Sequence, residues 1–340
     1  MAETHLSDDE TKSQTLADQV EKRILSRTIK QIDQQVQPGE FVYPAYADLS
    51  LVNISATLLK LFGIRIPGHP ALPDELVEGQ TEGIRKVIVF LVDALGYKQL
   101  VPVLESQPNL ILNELIRRGR FAPLTSIFPS TTTAALTSFH TGMTPQEHGI
   151  LGYHLFLKEY ATVANMIGFS PIYESEDFRL LQMGLDPQKL LGVKTLYQRL
   201  TNARLTSHVL IKHAYKASPL SQMFYAGVTK IHGFVNSSDM FVALRRLIKE
   251  KPDERACIFV YWDAIDSIAH LYGANSEAFV AEVCNLSYSL ERELIQHVDS
   301  QIAGTTLLIL TADHGQITVP ESGLLRVEQY PAIKDNLLLP

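Results

Sequence analysis

The chain has 340 residues, with 30 basic against 37 acidic and a formal charge of −7. That balance argues against a nucleic-acid duplex or any partner held by phosphate attraction alone. Hydrophobic residues at 46% and charged residues at 20% are those of an ordinary globular protein with room for a large core, and two cysteines, Cys257 and Cys284, build neither a disulfide framework nor a CxxC zinc or redox motif.

The N-terminus, MAETHLSDDETKSQ, is acidic and polar and is not a secretory signal. Segments Lys86–Leu95 and Thr305–Thr311 are too short to span a bilayer, so a cytoplasmic protein without membrane contact is expected. Residues 1–40 form a polar arm. Helical spacing of Leu16, Val20, Ile24, Ile29 and Ile32 predicts a frayed or surface helix rather than core. Lys86–Val92 is a β-branched apolar run that ends at Asp93. Such a continuous run fits a strand covered on both faces, as in a parallel sheet.

From Phe128 to Gly142, Pro129 breaks what precedes it, Ser130 or Thr131 supplies an N-cap, and Ala134–His140 continues as helix. Hydroxyls at a helix N-terminus sit beside free N–H groups and the positive dipole end, which suits a phosphate or an alkoxide. A capping run of four Ser/Thr residues is the plain alternative. Residues 155–256 combine part of the core with an inserted cap. Phe156, Tyr160, Phe169, Tyr173, Phe224 and Tyr225 are candidate stacking surfaces there, and Lys212, Lys216 and Lys230 are candidates to meet phosphate charge.

Two further apolar runs follow. Cys257–Trp262 ends at Asp263, with Asp266 beyond it, and Thr305–Thr311 ends two residues before Asp313. Between them, Phe279, Val283, Leu286, Leu290 and Leu294 mark a helix capped by Asn275 or Ser276, giving a strand–helix–strand unit with parallel strands. In an open α/β sheet the ligand site lies beyond the carboxyl ends of the strands. Asp93, Asp266 and Asp313 all follow such ends, so they converge if the strands share a sheet. Asp266 and His270 share a helix face, and Gly315 lets Asp313 and His314 turn toward one ion or bridge two. Three carboxylates and two imidazoles suit zinc or a similar transition metal.

The segments around Asp93 (VDALG), FPSTTTAALTSFHTGMTPQEHGI from Phe128 to Ile150, Asp266-Ser-Ile-Ala-His270 and Ala312-Asp-His-Gly315 resemble, in order, the alkaline phosphatase superfamily. The resemblance is nearest its nucleotide pyrophosphatase/phosphodiesterase (type I phosphodiesterase) branch. It implies an α/β fold with a largely parallel central sheet flanked by helices, plus an inserted cap within residues 155–256 of a catalytic domain spanning 41–340. It implies Thr132 as nucleophile, one metal held by Asp93, Thr132, Asp313 and His314, and a second held by Asp266 and His270. The implied activity is hydrolysis of phosphodiester or pyrophosphate bonds in small nucleotide-type substrates through a phosphothreonine, using two divalent ions, zinc first among them.

Two positions depart from the pattern. Ala135 stands where the branch has an asparagine that binds a phosphoryl oxygen, and no histidine follows His314 to complete the Asp266/His270 site. A chain continuing past Pro340, a substitute ligand or a damaged site would each account for the second. His148 reads as loop-structural and His140 as a helix C-terminal cap; His154, His208, His213 and His232 are the other candidates for a substitute ligand. A phosphomonoesterase or phosphonate hydrolase, and a non-catalytic descendant that binds a phosphorylated ligand or a protein, stay open as alternatives.

Overall fold

The apolar runs lie side by side in a computed structural model that describes residues 8–29, 41–65, 68–77, 79 and 81–336. Helices α1 (Asp8–Leu25) and α2 (Leu51–Leu61) precede strand β1 (Lys86–Val92), which leads to α3 (Tyr97–Ser106), α4 (Ile111–Arg118) and α5 (Thr132–Thr141). A small antiparallel sheet of β2 (His154–Leu157), β3 (Thr162–Asn165) and β4 (Ser170–Pro171) follows. Then come α6 (Leu196–Asn202), β5 (Thr206–Lys212), β6 (Lys230–Phe234) and α7 (Ser237–Glu250). The described chain closes its core with β7 (Ala256–Trp262), α8 (Ala264–Tyr272), α9 (Glu277–Glu293) and β8 (Thr306–Thr311).

Five strands form one all-parallel sheet in the order β6-β5-β7-β1-β8. Helices cover both faces, because alternate residues of each central strand point to opposite sides. Val87, Val89 and Leu91 join a core with α2, α5 and α6, whereas Ile88, Phe90 and Val92 join one with α3, α4, α7, α8 and α9. Lys86–Val92 and Ala256–Trp262 are buried along their whole length, as continuous apolar runs predict. Thr306–Thr311 differs: every residue is half-buried, because β8 is an edge strand paired only with β1. Ser276 caps α9, its Oγ accepting the Phe279 N–H at 3.2 Å.

Within 155–256, β5, β6 and α7 are the part of the core expected there, and they belong to the central sheet and its cover. Their apolar signal is broken by His208 in one strand and by Lys230, His232 and Gly233 in the other. The N-terminal helix is not the frayed or surface helix expected: Val20 and Ile24 are buried against Ala45 and Leu49, and Ala17 is fully buried. Arg23 and Arg27 tie it down through ion pairs with Asp48. Ile29 is exposed, and Ile32 lies outside the described residues.

His140, expected as a helix cap, is instead fully enclosed in the core beneath the sheet. Phe259, Tyr225, Phe224 and Tyr197 surround its ring at centroid distances of 4.7–5.6 Å, and the Tyr197 hydroxyl pairs with Nδ1 at 3.2 Å. Burial pushes its pKa down to about 3, so it stays neutral and lends no charge to the helix end. His148 holds the turn after α5: its Nδ1 accepts the Ile150 N–H at 3.1 Å, so Nε2–H donates to Ser138 Oγ at 2.9 Å. Burial lowers its pKa to about 4.

These two histidines make stability acid-sensitive. Both folded values lie below the ordinary histidine value of about 6.5, so the unfolded chain takes up protons first as the pH falls. Their contribution is complete above that value and is lost on acidification, at up to about 1.4 kcal/mol per pH unit for each. Urea unfolding between pH 7 and pH 5 should show a falling midpoint, with a shallower fall in His140→Phe. Equal pH slopes in the two proteins would count against this account.

Candidate active site

The ends of β1, β7 and β8 each hand an acidic residue to the carboxyl edge of the sheet. Asp93 follows β1 directly, and the chain turns away at once because Ala94 takes a left-handed conformation (φ 60°). That turn aims the Ala94 N–H at Asp313 Oδ1, 3.2 Å away, which also accepts the His314 N–H at 2.9 Å. Two residues further on, Gly96 meets Gly315 so closely that a Cβ on Gly96 would lie 2.7 Å from the Gly315 Cα. The Gln99 amide donates to the Gln316 carbonyl, and Ser126 Oγ donates to the Asp313 carbonyl at 2.5 Å. The loop after β8 is thereby locked onto the turn after β1.

Asp93 and Asp313 are 2% and 1% exposed. Asp93 Oδ2 accepts a hydrogen bond from the Tyr261 hydroxyl, but Asp93 Oδ1 and Asp313 Oδ2 have no hydrogen-bond partner among the described residues. Burial pushes both carboxyls above the usual range, and for Asp93 the charge of Asp313 adds to the rise. The ring of His314 faces these bare oxygens, with Nε2 3.5 Å from Asp93 Oδ1 and 3.6 Å from Asp313 Oδ2. Its Nδ1 pairs with the Gly315 carbonyl at 3.1 Å, which places the proton on Nδ1 and leaves a lone pair on Nε2.

The hydroxyl of Thr132 joins the same point: Oγ1 lies 3.0 Å from His314 Nε2. Thr132 is the first residue of α5, with Thr131 as N-cap, so its oxygen sits at the positive end of the helix dipole. Ala134 and Ala135 are fully buried, and the helix wall offers no side-chain amide at Ala135.

Asp266 and His270 stand on α8, one turn apart, with Asp266 Oδ1 3.5 Å from His270 Nε2. The Gln316 amide donates to that same Asp266 oxygen at 2.6 Å. His270 is 73% exposed, in contrast to the enclosed His314. Ligand atoms of Asp93, Asp266 and His314 all lie within 4.8 Å of one another. Bare, buried carboxylate oxygens beside an imidazole lone pair are costly unless a cation meets them, and the mixed oxygen–nitrogen donor set suits a divalent transition metal.

Tyr261 and Gln316 enter this site without having been foreseen. Their only sequence signal is position: one is the next-to-last residue of β7, the other follows Asp313-His314-Gly315. Asp263, by contrast, turns away to pair with Lys212 and Tyr215. Among the stacking candidates, Phe169, Phe224 and Tyr225 are core, whereas Phe156 and Tyr173 are exposed. Lys216 and Lys230 lie on the surface. His208 and His232 pair with each other at 3.1 Å, and His154 and His213 are exposed.

A family model described as type I phosphodiesterase / nucleotide pyrophosphatase matches residues 87–339. The chain belongs to that family. Among solved structures, murine ectonucleotide pyrophosphatase/phosphodiesterase 5, in an inactive form in complex with AMP, matches at 17% identity with a TM-score of 0.50, covering 72% of this chain and 61% of that one. The human counterpart matches at 18% identity and 0.49, with the same coverages. Phosphonoacetate hydrolase from Sinorhizobium meliloti, in complex with phosphonoacetate, matches at 18% and 0.48, covering 68% and 57%. The murine likeness is one of fold, and this chain spans about three fifths of that protein's length. No curated protein matches the chain. Among the described residues, no helix is long and apolar enough to cross a membrane.

A cation that binds only the folded chain stabilises it by mass action, by about 2.7 kcal/mol at a hundred times its dissociation constant. Adding Zn²⁺ to chelator-treated protein should therefore raise the melting temperature, and Asp313→Asn should abolish most of that rise. A full rise in the variant would exclude Asp313 from the ion's surroundings.

Proposed function

We propose that this member of the type I phosphodiesterase / nucleotide pyrophosphatase family is a metal-dependent hydrolase of phosphodiester or pyrophosphate bonds in small nucleotide-type substrates, with Thr132 as nucleophile. The observation that carries the proposal is Thr132 Oγ1 at 3.0 Å from His314 Nε2, at a helix N-terminus and beside two buried carboxyls with bare oxygens. On this reading Asp93, Thr132, Asp313 and His314 hold one divalent ion and Asp266 and His270 hold another, zinc being the metal their donor types favour. Such ions lower the hydroxyl pKa, neutralise the acids and stabilise charge on phosphoryl oxygens.

The protein's own part follows from the geometry. The first-turn N–H groups of α5 and its dipole favour the ionised Thr132 oxygen and the phosphoryl group it attacks. Tyr261 orients Asp93, while the Ala94 and His314 N–H groups orient Asp313, so each acid keeps one oxygen free. Thr132 Oγ loses its proton to solvent water and bonds to phosphorus as the opposite P–O bond breaks, its electron pair leaving with the departing oxygen. Water then attacks the phosphothreonine, the Thr132–phosphorus bond breaks, and the free hydroxyl returns. The cap on this reading is the excursion that carries β2, β3 and β4, at the edge where side-chain variation sets substrate choice.

Thr132→Ala should lower turnover of bis-p-nitrophenyl phosphate by at least about a thousandfold while leaving the melting temperature of the metal-free protein largely intact. Acid quenching during turnover of a ³²P-labelled substrate should trap label on the wild-type chain and none on the variant. Wild-type turnover in Thr132→Ala would remove the nucleophile assignment.

A further inference from the structure

We propose that Lys212, fixed by Asp263 and the Trp262 ring, forms a subsite for negative charge on the departing group of the substrate, with Tyr215 as its neighbour. The inference rests on the phosphoryl transfer to Thr132 proposed above and specifies where the departing group goes. Lys212 closes β5 at the carboxyl edge, and its Nζ lies 2.5 Å from Asp263 Oδ1 and 5.4 Å from the centre of the Trp262 ring. The other oxygen of Asp263 accepts the Tyr215 hydroxyl. Asp263 is buried, so this ion pair is screened far less than a surface one. The ammonium is held there by charge, makes no hydrogen bond to another side chain among the described residues, and remains 30% exposed. This cation is held in place with spare donors.

Its position along the sheet edge gives it a role. Thr132 stands beside His314 and Asp93, at the ends of β8 and β1. In-line displacement sends the departing oxygen to the side of phosphorus opposite the nucleophile. Moving away from β8, the strand order runs β1, β7, β5, so that path passes Asp266 and His270 and then reaches Lys212 and Tyr215. Strands in a sheet lie about 4.8 Å apart, which puts the end of β5 about 10 Å from that of β1. That is too far for the departing oxygen itself and suits a second phosphate one P–O–P bridge further out. Burial, the hydrogen bond to Asp263 and the charges of Asp263, Asp93 and Asp266 raise the Tyr215 pKa, which keeps its hydroxyl protonated as the donor to Asp263 and places it within the field of the acidic edge.

The subsite predicts selectivity by the charge of the departing group. The full chain, loaded with Zn²⁺, is assayed with ATP, whose departing group is pyrophosphate, and with bis-p-nitrophenyl phosphate, whose departing group carries no phosphate. A charge-assisted hydrogen bond to the ammonium corresponds to about 30-fold. Lys212→Met should lower kcat/KM for ATP by about that factor, chiefly through KM, and change the diester by less than about 3-fold. Lys212→Arg should restore most of the ATP activity. Calorimetry of ATP binding to Thr132→Ala, with and without Lys212→Met, should show the same weakening without turnover. Asp263→Asn, which loosens the anchor, should raise KM for ATP alone and serves if Lys212→Met does not fold. Equal losses on both substrates, no loss on either, or a wild type that cleaves the diester but not ATP would overturn the subsite. A wild type that cleaves neither would instead overturn the phosphoryl-transfer reading on which it rests.

Discussion

Two carboxyl groups buried side by side dominate the architecture of this edge. Asp93 and Asp313 come from strands that are hydrogen-bonded neighbours, and almost none of either side chain reaches solvent. Like charges this close and this dry repel, and each group alone resists ionisation. The surroundings answer with donors to one oxygen of each acid: Tyr261 for Asp93, and the N–H groups of Ala94 and His314 for Asp313. The second oxygen of each is left bare beside the His314 lone pair. Such an arrangement is unfavourable for the chain alone and favourable around a cation, so stability has been given up locally for a site.

The remaining structure keeps those acids where they are. Continuous apolar strands place their ends level with one another, since parallel register aligns Lys86 with both Ala256 and Thr306. The contact of Gly96 with Gly315 has no space for a side chain and brings the two turns together. Helix α5 delivers Thr132 from the far side of the sheet, and the buried packing of Ala134, Ala135 and Phe139 fixes its depth. The site is asymmetric as a result. Between β1 and β8 it is enclosed and over-tied, whereas toward β7 and β5 it opens past the exposed His270 to Lys212.

Much of the site was legible because its chemistry is local. Asp93, Asp313 and His314 each stand within three residues of a strand end that periodicity alone locates, and Thr132 lies at a helix start marked by Pro129 and a run of hydroxyls. Asp266 and His270 declare themselves by one-turn spacing. The misread residues owe their roles to distant contacts. His140 looked like a helix cap until Phe259, Tyr197, Phe224 and Tyr225 closed around it from three other segments. Tyr261 and Gln316 are ordinary residues until the fold sets them against Asp93 and Asp266. Strands β5 and β6 were obscured because histidine and lysine interrupt their apolar pattern, although β5 is buried between its neighbours and only β6 is an edge.

By itself, the sequence determined three strands of the central sheet, the parallel connection of β7 to β8, and the acids, imidazoles and hydroxyl that border it. Those follow from periodicity, capping and chain direction, which act over a few residues. The order β6-β5-β7-β1-β8 was settled only by tertiary structure, and with it which strand ends are neighbours. That order decides that Asp93 and Asp313 share one dry pocket, that β8 is a half-exposed edge, and that Lys212 ends a strand two places from β1. No local pattern encodes it, because strand neighbours are chosen by how the two helix layers bury both faces of the sheet at once.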